Sequence, residues 1–118
     1  MAAMDAFPMA EFSATSRYER GRPVVRMDGE LDIASEGLAR AEIEIALSRG
    51  AGDLVVDVEG LTFLDVRGVH VLLDAREACL PAGRRMLVLP APARVWQIVV
   101  LCGVGDRFDL LRPAFLAV

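Results

Sequence analysis

Asp65-Val66-Arg67-Gly68 places an acid, a β-branched residue, a cation and a glycine where a strand pattern gives way to a helix. Asp65 suits a helix N-cap, its carboxylate accepting an N–H of the first turn, a contribution of about 1 kcal/mol. Other reactive residues are sparse. His70 is the single histidine, with no second ligand in sequence reach, and predicts no metal site. Cys79 and Cys102 are too few and too far apart for zinc or a CxxC motif and read as buried thiols in a reducing cytosol. A redox switch would use this pair, since both fall near the ends of neighbouring helices at inward positions, and it needs Cα atoms within about 7 Å. Gly50-Ala51-Gly52 and Gly103-Val104-Gly105 read as helix stops, not phosphate loops. No nucleophile has a base at plausible spacing, so the expectation is a non-enzyme without cofactor.

Composition narrows the partners. In a chain of 118 residues with 54% hydrophobic content and a formal charge of −4, the 13 basic residues are scattered without a run, leaving no footprint for a phosphate backbone. Nucleic acid is not an expected partner. All the basic residues are arginine, which reads as coding bias in a GC-rich genome and points to a bacterial source. Met1 to Phe12 lacks a basic region ahead of an apolar stretch and does not read as a secretory signal. The longest apolar run, Val95 to Val104, contains Gln97 and is about half the roughly 20 residues of a membrane span. A soluble, cytoplasmic protein without membrane insertion is expected.

Residues 1–9 read as a flexible N-terminal arm and 10–118 as one domain. Phe12 to Arg17 and Pro23 to Met27 alternate in character around Glu19-Arg20-Gly21-Arg22, which predicts a hairpin. Asp28 to Asp32 interrupts the strand pattern, and Ser35 to Arg49 returns at helical spacing with Leu38, Ala41 and Ile45. Asp53 to Val58 is a mostly apolar run of the kind found in a strand buried on both faces by covering helices, and it predicts the sheet centre. A helix over about Val66 to Leu80, a strand at Met86 to Leu89, and a helix over about Ala93 to Leu101 with Pro92 at its start follow. Phe108 to Leu110 predicts a last short strand and Pro113 to Val118 a last helical turn. The fold class is α/β, a mixed sheet of four to five strands with three to four helices packed on it.

Winding Val66 to Leu80 at 100° per residue puts Gly68, Val69, Leu72, Leu73, Cys79 and Leu80 on a core arc, with Arg76 inside it and snorkelling to the edge. Arg67, His70, Val71, Asp74 and Ala78 fall on the opposite arc, a partner face or a solvated one. On the next helix Val95, Ile98, Val99 and Cys102 form the core stripe. That leaves Trp96 and Val100 as an apolar flank for a partner or a homodimer, unless Phe115 and Leu116 fold back over it.

Gly29-Glu30-Leu31-Asp32 before a helix, and Leu61-Thr62-Phe63-Leu64-Asp65-Val66-Arg67-Gly68-Val69 after a buried strand, resemble the two signatures of STAS domains. Pro92 to Gly103, a helix ending in a Leu-x-Gly stop, is similar to that family too, and the likeness covers roughly residues 10–112. It implies a regulatory interaction domain of the anti-sigma-factor-antagonist type, whose partner is an anti-sigma factor of the histidine-kinase-like ATPase type. In such antagonists the turn reads Asp, Ser, Ser or Thr, Gly, and that partner phosphorylates the first hydroxyl. A helix N-terminus favours the phosphate, and nearly two added charges alter the fit.

Asp65 and Gly68 match the family residues, but Val66 stands at the phosphoacceptor position and, like Arg67, has no oxygen to take a phosphoryl group. The usual switch cannot operate there, and Thr62, Ser35 and Ser48 are the nearest hydroxyls. By resemblance Asp32 lies near this loop, forming an acidic pair with Asp65 and with Arg67 between them, either for a partner or merely to neutralise the pair. The expected partner-binding residues are thus Asp32, Asp65, Val66, Arg67, His70, Val71 and Asp74, with Trp96 and Val100 as a secondary contact. The alternative the resemblance leaves open is an accessory subunit of a lipid-transporting ABC system, docking on its ATPase.

Overall fold

A computed structural model describes residues 11–111; the expected arm and the expected last helical turn lie outside the described residues. Strands β1 (Ser13–Glu19) and β2 (Arg22–Leu31) form the predicted hairpin, antiparallel and in register from Ser13 opposite Asp28 to Glu19 opposite Arg22. Its two-residue turn has φ of 53° at Arg20 and 79° at Gly21, the pair of left-handed conformations that matches the right-handed twist of the strands.

Strand β2 does not stop at Met27 as the pattern suggested. Register shifts between Arg26 and Asp28, and again between Gly29 and Glu30, let the polar segment stay in the sheet as far as Leu31. Gly29 makes this possible with φ of +96°, and a side chain there would run into the backbone of Glu11 and Phe12.

Strand β3 (Leu54–Leu64) lies at the centre of a five-stranded sheet of order β1-β2-β3-β4-β5, and its pairings with β2 and with β4 (Met86–Leu89) are parallel. Leu54, Val55, Val56, Asp57 and Val58 are all buried, but not by helices on both faces as expected: among the described residues the helices pack on the face of Leu54, Val56 and Val58, while Val55 packs with Val24 and Leu87 on the other face without a helix. Strand β5 (Asp109–Leu110) closes the far edge, parallel to β4.

Three α-helices are present among the described residues: α1 (Glu36–Arg49), α2 (Val66–Cys79) and α3 (Ala93–Leu101). The main core joins Val25, Met27, Val56 and Val88 of the sheet to Ile43, Leu72 and Val99 of the helices. Val24, Val55 and Leu87 form a smaller cluster on the other face, beside Asp57, which accepts from Arg26 Nη1 at 3.1 Å.

Helix α1 turns a different face inward from the one its large apolar residues predict. Ala39, Ile43 and Ala46 are buried, whereas Leu38 is 63% exposed and Ile45 38%. The i, i+4, i+7 spacing is kept, and the two alanines let the helix settle against β1 and β2. Arg84 anchors its far end, donating through Nη1 to the Leu47 carbonyl at 3.0 Å and through Nε to the Gly52 carbonyl at 2.8 Å.

Candidate functional site

The site forms where two parallel strands end side by side. Leu31 of β2 pairs with Leu64 of β3, so the chain leaves the sheet at Asp32 and Asp65 together, on the carboxyl edge where open α/β sheets gather their ligands. Each acid then organises the start of a helix. Asp65 has extended backbone, and its Oδ1 accepts the Gly68 N–H at 3.1 Å, the predicted cap of α2. Asp32 Oδ1 accepts the Ala34 N–H at 2.9 Å, and its carbonyl accepts the Glu36 N–H at 2.9 Å, opening α1. Ser35 is buried, donating to the Glu30 carbonyl at 2.6 Å and accepting the Asp32 N–H at 3.0 Å.

Gly68 sets how closely α2 approaches the end of β2. A Cβ at this position would stand 2.8 Å from the Leu31 carbonyl oxygen and also press on Leu64, so the first turn of α2 fits there only because no side chain intervenes.

Arg67 reaches neither Asp32 nor Asp65 as expected. Its Nε donates to Glu36 Oε1 at 3.0 Å, and its Nη2 bonds the same oxygen. Both acids are already engaged by backbone N–H groups, whereas Glu36, in the first turn of α1, points toward α2. Glu36 also accepts from Arg40 Nε at 3.3 Å, and Arg40 Nη1 donates to Asp74 Oδ2 at 2.8 Å. A chain of alternating charge, Arg67–Glu36–Arg40–Asp74, thus laces α1 to α2. The hydrogen bond from Arg67, more than that from Arg40, holds the Glu36 carboxyl below the usual carboxylate range, and Asp74 chiefly raises Arg40.

Around this charged seam lies exposed apolar surface. Val66 is 48% exposed, Phe63 45% and Ile33 69%. Together they give the β3–α2 turn an apolar rim beside a half-exposed guanidinium, a surface suited to protein contact. His70 and Asp74 are exposed on α2 as predicted.

Val71 is not on that surface; it is 1% exposed. Helix α2 is covered on two sides, by the sheet and by α1, and Val71 faces the seam lined by Ile43 and Leu47. A wheel with a single buried arc cannot represent a helix in that position. Leu80, placed on the core arc, is 51% exposed because the chain leaves α2 there into a short turn ending at Gly83. Leu73 is only half-buried.

The apolar flank expected on α3 also resolves differently. Trp96 is buried, its ring edge-on to Phe108 with centroids 5.7 Å apart, while Val100 remains 62% exposed. Phe108, directly before the last strand, supplies a cover for Trp96 that helical periodicity cannot anticipate. Cys102, expected to point inward, is exposed at the end of α3, and Cys79 alone is buried.

Of the hydroxyls expected near the turn, Ser48 is not there: it lies in the last turn of α1, at the opposite end of the helix from the site, and donates to the Ile45 carbonyl, whereas Thr62 is exposed near the end of β3. Glu36, Arg40, Ile33 and Phe63 are the site residues that sequence reasoning missed. The i, i+4 spacing of Glu36 and Arg40 was a visible signal.

Comparison with known proteins identifies the family and the fold. The STAS domain family profile matches residues 15–117. A curated relative from Lysinibacillus sphaericus, named anti-sigma F factor antagonist, is 38% identical over 84 residues, covering 70% of this chain and 71% of the relative. Among solved structures, an anti-sigma factor antagonist from Mycobacterium paratuberculosis superposes with a TM-score of 0.75 at 20% identity, covering 86% of each chain. The anti-sigma factor antagonist SpoIIAA in its unphosphorylated form gives 0.70 at 24% identity, covering 91% of this chain and 93% of that one. The chain belongs to the STAS domain family.

Proposed function

We propose that the chain is a non-catalytic anti-sigma-factor antagonist of a bacterial cytoplasm, binding an anti-sigma factor of the histidine-kinase-like ATPase type through the β3–α2 turn. The observation that carries this reading is the turn itself. Its acid Asp65, like Asp32 in the neighbouring β2–α1 turn, is engaged in starting a helix, and what the turn presents outward is Val66 with the Arg67 guanidinium. Such a surface can be recognised but has no reacting group. The likeness to a relative named as an antagonist supports the choice of partner.

Binding is then set by abundance, by another ligand or by another modification, not by a phosphate on Val66 or Arg67, because neither has an acceptor oxygen. Asp32, Asp65, Val66, Arg67, His70 and Asp74 form or border the contact, Asp32 and Asp65 by shaping the backbone. The test is to pass purified ATPase-type anti-sigma factors over the immobilised protein, with Val66→Asp as control. Saturable binding by wild type that Val66→Asp weakens at least tenfold supports the reading. Binding to a transport ATPase and to no anti-sigma factor would replace it with the accessory-subunit alternative.

A further inference from the structure

Beside the β3–α2 turn, the end of β3 and helix α3 enclose a groove of about 410 Å³. Its base is buried Leu64 and half-buried Ile98, and its walls are Phe63 and Leu101, the latter 72% exposed. Thr62 and Arg94 stand at the rim, both exposed. No acidic side chain lines the groove, and among the described residues Arg94 makes no ion pair. Large apolar side chains around a concave surface with one uncompensated cation describe a recognition surface with a definite charge preference.

Three kinds of occupant can be compared. A second copy whose groove met its own counterpart across a two-fold axis would bring the same acid-free lining to both sides, leaving both arginines without a counter-charge. A small anion would find one solvated guanidinium and no buried donor to hold it. A peptide segment with an apolar side chain for the Phe63–Ile98–Leu101 hollow and a carboxylate for Arg94 matches both the apolar lining and the cation, while Thr62 and Gln97 stay exposed to water. We infer that the groove extends the partner-binding surface and takes an acidic, apolar segment of the partner, an assignment that rests on the interaction reading above. Phe63 joins the two areas, since it stands in the groove and two residues before Asp65.

The test uses the full chain, labelled for amide NMR, and two peptides, one alternating leucine with glutamate and the other leucine with lysine. The glutamate peptide should shift the amides of Thr62, Phe63, Arg94 and Leu101 and bind about fivefold more tightly than the lysine peptide, the size of effect an exposed ion pair supplies. Arg94→Glu, at an exposed position and checked for a native spectrum, should invert that preference. Equal binding of the two peptides, shifts centred elsewhere, or no shifts would overturn the assignment.

A parallel measurement with the anti-sigma factor separates the two claims. Equal binding by wild type and Arg94→Glu removes the groove and leaves the antagonist reading intact. Absence of any anti-sigma binding, with the peptide preference and its inversion retained, removes the antagonist reading and leaves the groove.

Discussion

Arg67, the second residue of α2, donates through Nε to Glu36, the first residue of α1, at 3.0 Å. The pair joins two helices that start from neighbouring strand ends, and it fixes the guanidinium at the rim of the apolar turn. Orientation is its contribution, since an ion pair this open to water adds little to stability.

Acid should loosen this link. Arg67 holds the folded-state pKa of Glu36 below its unfolded value of about 4.3. The stabilisation is therefore complete above that value and is lost as pH falls through the lower folded pKa. Glu36→Gln should flatten the fall of stability between about pH 5 and pH 3 relative to wild type, read from urea midpoints across that range. Parallel wild-type and mutant slopes would count against the link.

Gly68→Ala should destabilise the fold by about 1–3 kcal/mol, because the new methyl meets a backbone carbonyl oxygen of Leu31 that cannot swing aside. Urea unfolding reads the change. A neutral substitution would mean that α2 can withdraw from β2 without loss.

Trp96→Ala should cost about 3–5 kcal/mol, as expected for emptying a core site against Phe108. Trp96→Phe should retain most of the stability. Had Trp96 been the exposed contact that helical spacing suggested, alanine would change binding and leave the unfolding midpoint in place.

The two cysteines should differ sharply toward a thiol reagent. Cys102 is exposed and should react within the dead time of manual mixing, whereas Cys79 is 1% exposed with its pKa pushed up by burial. It should react only on unfolding. One thiol per native chain is the expected titration, and two fast thiols would reopen the redox pairing.

Much of this architecture could be read from the chain. Pro92, Gly103 and the apolar run between them place α3 at its observed bounds, and Asp65 marks the start of α2 because capping is a local interaction. What escaped was whatever depends on a second element. The face that α1 buries is chosen by its fit to β1 and β2, so Ala39 and Ala46 outrank the larger Leu38. Val71 is buried by α1 and Trp96 is covered by Phe108. Likewise, Glu36 lies 31 positions before Arg67, beyond the reach of any periodic pattern. The departure at Val66 needed no structure, since the lack of an acceptor oxygen is a property of the residue itself.

The central claim is that the turn binds an anti-sigma factor without the phosphate switch. Its most direct test is the affinity of wild type and Val66→Ser for an ATPase-type anti-sigma factor, measured by calorimetry before and after incubation with magnesium ATP and followed by intact mass. Wild type should bind, take up no phosphate and keep its affinity, while Val66→Ser gains one phosphate and loses affinity at least tenfold. Failure of wild type to bind, or a stoichiometric phosphate on wild type with release of the partner, would contradict the account.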